Sequence, residues 1–472
     1  MMTVNSPLDP DLLRRYDKPG PRYTSYPTAP QFTTAFGVRE FKRFAEESNH
    51  STPTRPLSLY VHIPFCASPC LYCGCNRVIT RSAEQACLYV DRLQREIESV
   101  APLFGAREVV QLHFGGGTPN FLTPTQLAAI VSRLRAHFRF SERPDREFSI
   151  EIDPRFIGPG DFAELARLGI NRVSLGVQDF DAEVQLAVNR VQSAELTFGA
   201  IEACRAAGIH SINVDLMYGL PRQTVATFRN TLHAVVRARP TRLAVYGYAH
   251  MPQLFKPQRR IRSSELPDPQ TRVKLLSTAI EILCAAGYRY IGMDHFALPD
   301  DELVRAQDAG TLQRNFMGYT THAGCDLLGL GVSSISHLGN SYSQNPRDLP
   351  AWEAAIDAGQ LPIWRGIEID ADDVIRADVI SRIMCQGELD IAAIETLYAI
   401  DFWTYFATAR EHLAALEADG LVWSCSSRIV ASPQGRYLLR VIASCFDRYL
   451  AAIAARAPPE GKTVVAADSA RA

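Results

Sequence analysis

The stretch "VHIPFCASPCLYCGCN", residues 61–76, ends an apolar, β-branched run and then places Cys66, Cys70, Cys73 and Cys75 within ten positions. A strand that hands the chain to a chemically loaded loop is the repeating unit of a parallel barrel, where function gathers at the carboxyl ends of the strands. The unit recurs downstream. "LSLYVHIPF" (57–65), "VVQLHFGGG" (109–117), "EFSIEID" (147–153), "RVSLGVQ" (172–178), "SINVDLMYG" (211–219) and "RLAVYGYAH" (242–250) are nearly continuous apolar runs that end in glycine or polar residues. Such runs suit strands buried on both faces of a parallel sheet. Between them, Ala86, Val90, Leu93, Ile97 and Val100 repeat at helical spacing, and "SAELTFGAIEACRAAG" (193–208) stops at Gly208, a C-terminal cap. About six β–α units predict an α/β fold built on a partial (βα)6 barrel.

Three thiolates at gaps of x3 and x2 can converge on one centre and hold three corners of a [4Fe–4S] cluster, leaving one iron open. Cys75 as a fourth ligand would close it. Structural zinc, with His62 or Cys75 completing a tetrahedron, is an alternative, although no second knuckle supplies the usual distant pair. A redox pair at Cys70-Leu-Tyr-Cys73 has the CxxC spacing without the expected context. Position favours iron–sulfur, because the loop follows the first strand and "HFGGGTPNF" (113–121) ends the second. The missing side chains of Gly115, Gly116 and Gly117 let backbone approach a ligand. No Gly-Lys-Ser/Thr follows, so a phosphate loop is not indicated. Glu151, Gln178 and Asp215 fall at the ends of the next three strands.

The chain has 472 residues, 47% hydrophobic and 21% charged, with a formal net charge of −2. That balance gives no field toward nucleic acid or a membrane. The opening "MMTVNSPLDPDLLRRY" lacks the apolar core of a signal peptide, no apolar run is long enough to span a bilayer, and a soluble cytoplasmic protein is expected. The 11 cysteines do not read as a disulfide framework in such a chain, and Cys87, Cys204 and Cys284 read as small buried hydrophobes. Five regions are expected: an N-terminal arm (1–55), the barrel (56–290), a flanking extension with extended segments (291–363), a mostly helical C-terminal domain (364–455) and a disordered tail (456–472). "GLVWSCSSRIVASPQGRYLLR" (420–440) reads as a hairpin and helix, similar to a winged-helix wing, with packing or lid duty ahead of DNA reading because acidic residues interrupt its basic ones.

The Cys-x3-Cys-x2-Cys loop with the glycine run resembles the radical S-adenosylmethionine (SAM) superfamily. Further segments narrow the likeness: "GPRYTSYPTA" (20–29), "CGCN" (73–76), "SIEIDPR" (149–155), "GVQDF" (176–180), "DLMYGLP" (215–221), "YAHMP" (248–252), "IGMDHFALPDDEL" (291–303) and "GYTTHAGCDLLGLGVSSIS" (318–336). Together they resemble the oxygen-independent coproporphyrinogen III oxidase (dehydrogenase) family over about residues 12–450. Haem-binding, haem-delivering relatives share the three cysteines but typically lack the "PRYTSYPTA" arm and the Cys-Gly-Cys, both present here. Departures are small: Cys325 and Ala323 stand where relatives often carry more polar residues, and Phe114 where Trp is frequent.

The resemblance implies a cluster held by Cys66, Cys70 and Cys73, with Cys75 not a ligand, and two SAM molecules. Tyr60, Gly116, Glu151 and Ile335 would contact the cluster-bound SAM; Tyr72, Gly117, Thr118, Gln178, Arg190, Asp215 and Ala249 would contact the second. The implied reaction takes a hydrogen atom from the β-carbon of a propionate of coproporphyrinogen III. CO2 and one electron then leave, so that two propionates become the vinyl groups of protoporphyrinogen IX. An electron donor such as flavodoxin or ferredoxin and a monomeric state are implied as well. A substrate with four carboxylates needs local cations, and Arg22, Lys256, Arg259, Arg260 and Arg262 are the candidates. A solvated surface is an equal reading of the run "KPQRRIR" (256–262).

Overall fold

In the computed structural model residues 10–16, 20–51, 53–105 and 107–450 are described. The tail expected at 456–472 lies outside them. Six strands run parallel and in chain order: β1 (Leu57–Ile63), β2 (Glu108–Gly116), β3 (Glu147–Ile152), β4 (Arg172–Gln178), β5 (Ser211–Tyr218) and β6 (Arg242–Gly247). Helices connect them, as parallel pairing requires. The first, Ala83–Val100, starts at Ser82, whose hydroxyl accepts the Gln85 amide at 3.2 Å, and buries Ala86, Tyr89, Val90, Leu93, Ile97 and Val100. Cys87 falls one residue off that stripe and is exposed, unlike buried Cys204, so its expected burial is corrected by helical phase. Helix Ala194–Ala206 ends before Gly208, which takes φ +81.

Further strands extend both edges of the sheet. Beyond β6 lie β8 (His295–Ala297) and then β7 (Arg289–Gly292). A separate hairpin, β9 (Gln313–Asn315) and β10 (Gly318–Thr320), stands over the barrel. At the other edge β11 (Asp326–Leu330) pairs parallel to β1, followed by β12 (Ile335–Leu338), β13 (Ser341–Gln344) and β14 (Arg365–Glu368). The sheet stays open, a partial barrel. The C-terminal region carries helices Ala371–Gln386, Ile391–Tyr398 and Ala407–Ala418 beside a small sheet in which Arg428–Ala431 pairs with Val422–Ser424 and Glu388–Asp390. Among the described residues no helix is long and apolar enough to cross a membrane.

Burial on both faces, expected for every strand, holds for β1 and most of β2 but not for β4 and β5, where buried and half-buried positions alternate. Their inward residues Ser174, Asn213 and Asp215 line a polar chamber of ≈ 170 Å³ inside the barrel, with Glu147, Arg172 and Arg242. A barrel floored by polar groups needs only its outer face to be apolar.

The arm is bound into this architecture. Helix Val38–Asn49 gives Phe41, Phe44 and Ala45 to the same core as the barrel strands. Its Ser48 hydroxyl reaches Asp326 at the start of β11, and Arg107, just before β2, pairs with the same carboxylate at 2.7 Å. Side-chain exposure of that pair is only 3% and 1%. Removing one partner strands a buried charge, so Asp326→Ala is expected to destabilise the protein by about 3–5 kcal/mol, whereas Arg107→Met/Asp326→Leu recovers most of the loss. Thermal unfolding of both variants, followed by circular dichroism, checks this; equal destabilisation of the single and double variants would contradict it.

Candidate active site

The loop after β1 is braced at both ends. Phe65–Cys66 pairs with Val78–Ile79, the Arg77 guanidinium donates to the carbonyls of Cys70 and Cys73 at 3.2 Å each, and Asn189 Nδ2 donates to the Pro69 carbonyl at 2.7 Å. Each of three sulfurs has its own polar partner. Cys66 Sγ lies 3.2 Å from Thr118 Oγ1, Cys70 Sγ accepts from Arg190 Nη1 at 3.5 Å and Arg155 Nη2 at 3.8 Å, and Cys73 Sγ accepts the Cys75 amide at 3.4 Å. Hydrogen bonds to the ligating sulfurs are among the features that set the properties of an iron–sulfur cluster. Cys75, an exposed residue, contributes its amide and a thiol hydrogen bond to Cys73. Among the described residues no three His, Cys, Asp or Glu side chains are gathered around one point, as a single ion would require.

The glycines ending β2 pass close under this loop. Gly116 has φ +115, and a Cβ there would meet the His62 ring at 2.6 Å; one on Gly117 would meet the Pro64 carbonyl at 2.6 Å. The Gly117 amide donates to the Ile63 carbonyl at 2.8 Å and the Gly116 amide to Glu151 Oε2 at 3.2 Å. The run is therefore a cradle that only glycine fills, with a carboxylate at its mouth. Burial pushes His62 down to about 4, so it is neutral near pH 7. Its Nε2–H donates to the Asn76 carbonyl at 3.1 Å and its Nδ1 accepts from the Tyr60 hydroxyl at 3.1 Å.

Above the cradle opens a cavity of ≈ 430 Å³. Of the residues the family resemblance implies for SAM, Tyr60, Tyr72, Gly116, Glu151, Ala249 and Ile335 line it, and so does Cys75. Asp215 lines the adjoining polar chamber, which shares Glu151, His113, Tyr246 and His295 with the cavity. Burial, with nearby Glu151, raises Asp215 to about 6 against hydrogen bonds from Ser174 and Asn213, each 2.8 Å. Gly117, Thr118, Gln178 and Arg190 are not on the cavity wall. Thr118 and Arg190 stand behind the cysteine loop, where Arg190 also meets Asp153 at 3.1 Å and the Gly176 carbonyl at 2.6 Å. Gln178 adopts φ +72 beside Gly176.

Ile335 reaches the wall through a turn pinned from the helical layer. The buried Glu96 carboxylate accepts from the Gly331 amide (2.8 Å), Asn345 Nδ2 (2.7 Å) and Trp352 Nε1 (3.2 Å), while burial raises it to about 7. Tyr89 donates to the His62 carbonyl at 2.7 Å and accepts the Val332 amide at 3.2 Å, so one helix fixes both β1 and this turn.

The five candidate cations separate. Arg22 lines the cavity; Lys256, Arg259, Arg260 and Arg262 are exposed and do not. The 3-10 turn Lys256–Arg260 points its cations outward and its intervening Gln258 inward, donating to the carbonyls of Tyr72 (2.8 Å) and Ala249 (3.2 Å). Its neighbour Phe255 packs on Gly74. Sequence reasoning missed the β9–β10 hairpin, whose Arg314, Phe316 and Met317 line the cavity, and also His295 from β8. The one available signal was "RNFMGYT" (314–320), two short polar–apolar runs around a glycine.

Comparison with known proteins gives a consistent picture. Residues 60–235 match the radical SAM superfamily and residues 369–438 match the HemN C-terminal domain. An oxygen-independent coproporphyrinogen III oxidase of Pseudomonas aeruginosa is 51% identical over 94% of this chain and 96% of its own length. One from Escherichia coli K12 is 46% identical over 93% of this chain and 95% of its own. The solved structure of the Escherichia coli coproporphyrinogen III oxidase (HemN), described as a radical SAM enzyme, superposes with a TM-score of 0.89 at 46% identity, covering 94% of this chain and all of that one.

Proposed function

This chain belongs to the oxygen-independent coproporphyrinogen III oxidases, a radical SAM family, and on that premise we propose how its residues divide the work. The protein converts two propionate side chains of coproporphyrinogen III to vinyl groups without oxygen, giving protoporphyrinogen IX. Each conversion removes one hydrogen atom from the β-carbon, one CO2 and one electron. When bound, a [4Fe–4S] cluster carrying SAM on its open iron supplies the 5′-deoxyadenosyl radical that takes the hydrogen.

Cys66, Cys70 and Cys73 hold the cluster, and the donors on their sulfurs tune it: Thr118, Arg190, Arg155 and the Cys75 amide. Cys75 is not a ligand. The Glu151 carboxylate and the open backbone at Gly116 would hold the amino group of the cluster-bound SAM, in the cavity that Tyr60 and Ile335 also line. Tyr72, Asp215 and Ala249 face the second SAM, and Gly117, Thr118, Gln178 and Arg190 support its site from one layer back. Arg22 and Thr24 of the arm and Phe316 and Met317 of the hairpin line the same cavity and exclude water from it. A small electron carrier, flavodoxin or ferredoxin, is the reductant, and the working unit is a cytoplasmic monomer. The flanking extension (291–363) supplies walls of the site, while the C-terminal domain holds the arm: Tyr23 donates to Asp447 and the Arg448 amide to Tyr26, both at 3.0 Å.

The observation that carries this reading is the cysteine loop seated on the glycine cradle at the carboxyl end of the first two parallel strands. Anaerobic incubation with coproporphyrinogen III, SAM and a reductant is expected to release CO2 and 5′-deoxyadenosine together. Haem binding without either product would mark a haem-delivering relative instead.

A further inference from the structure

The wall of the cavity formed by the arm, the β7–β8 turn and the β9–β10 hairpin carries more positive charge than the protein neutralises. Arg314 lies on β9 directly opposite Tyr319 of β10, and its guanidinium sits 5.2 Å from the Tyr319 ring centroid. Its Nε and Nη1 are buried without a hydrogen-bond partner, and among the described residues no carboxylate pairs with it. Arg22 faces the same space, 5.4 Å from the Tyr246 ring centroid, and meets Asp294 at 3.5 Å. Asp294 is presented by a two-residue turn in which Met293 (φ +39) and Asp294 (φ +73) are both left-handed without being glycine, a conformation that persists only where the surroundings impose it. Burial pushes the neighbouring His295 down to about 3, so it adds no charge near neutral pH. Two guanidinium groups therefore face one carboxylate. Burying an ion without a partner is costly, and aromatic faces beneath both cations offset that only in part.

We propose that Arg314, acting with Arg22, clamps a propionate carboxylate that the reaction leaves intact, and so orients the macrocycle for loss of a different one. The proposal rests on the oxidase reading above. Coproporphyrinogen III brings four carboxylates, of which two survive as propionates. A guanidinium fork matches a carboxylate with two parallel hydrogen bonds. Its hold on the carboxylate that departs would weaken as the charge leaves in the transition state, and so would slow the reaction. Held on a surviving carboxylate, the same hold is equal in ground and transition states. It then appears in KM and not in kcat, as long as chemistry is slow relative to substrate release.

The test is steady-state CO2 release by reconstituted wild type, Arg314→Gln and Arg314→Lys, each checked for iron content and for SAM cleavage. Arg314→Gln is expected to raise KM for coproporphyrinogen III about 30-fold or more with kcat held within about threefold. Arg314→Lys, a point charge without the fork, is expected between the two. A rise in kcat would place the clamp on the departing carboxylate and overturn the proposal, as would an unchanged KM in both variants. Should Arg314→Gln fail to take up iron, Arg314→Lys decides alone by whether its KM moves. Absence of CO2 release from the wild type would instead sink the oxidase reading itself.

Discussion

Cys66→Ala is expected to yield a folded chain that holds no cluster, cleaves no SAM and releases no CO2. Cys66 is buried at the end of a two-residue strand whose backbone pairs with Val78–Ile79, so shortening its side chain leaves that pairing in place. What disappears is the sulfur facing Thr118, one of the three that we propose would hold the cluster, and two thiolates would then be left to hold it. Cys75→Ser provides the contrast. The Cys75 contribution to the loop is its amide and its thiol hydrogen on Cys73 Sγ, which a serine backbone and hydroxyl supply in turn, so this variant is expected to keep wild-type iron and sulfide. Iron and acid-labile sulfide, measured on protein purified and reconstituted without oxygen, decide both. Turnover by Cys66→Ala would remove Cys66 from the ligand set, and loss of iron from Cys75→Ser would make the fourth cysteine a ligand and close the corner that SAM needs.

The difference between these two cysteines shows where sequence was sufficient and where it was not. Parallel strands and their terminal loops are local signals: apolar runs, glycines and spacing sit side by side in the chain, and β1 to β6 follow from them in order. The same is true of Gly116 and Glu151, which spacing alone puts at neighbouring strand ends. Pairings set by distant chain are silent. That β11 should join β1 across more than 260 residues, bringing Ile335 to the cavity, depends on the Glu96–Gly331–Asn345 cluster, which no local pattern announces. The run "KPQRRIR" was visible as charge, but its direction was decided by a 3-10 turn that buries Gln258 and leaves its cations outside. Arg314 escaped notice for the opposite reason. A single arginine in a short hairpin is unremarkable until its neighbours prove to be rings and not carboxylates.

Glu151→Gln is expected to weaken SAM binding about 30-fold or more, with turnover falling in step and the cluster intact. The glutamate leaves the end of β3 with Oε2 on the Gly116 amide at 3.2 Å and Oε1 at 3.4 Å from His113 Nε2, while His113 Nδ1 is held 2.6 Å from Ser149 Oγ. The Glu151 side chain keeps 44% of its exposure within the cavity, so acceptor capacity remains directed at a ligand. Glutamine preserves the shape and can still accept from Gly116, but it carries no charge to meet an ammonium. A residue that served only to cap the glycine run would tolerate that exchange. The effect therefore separates binding from architecture: iron content and the spectrum of the reduced cluster without SAM should match wild type, and the change in that spectrum on adding SAM should appear only at much higher concentration. Wild-type affinity for SAM in Glu151→Gln would reduce Glu151 to a structural partner of Gly116 and leave the cradle without its anion.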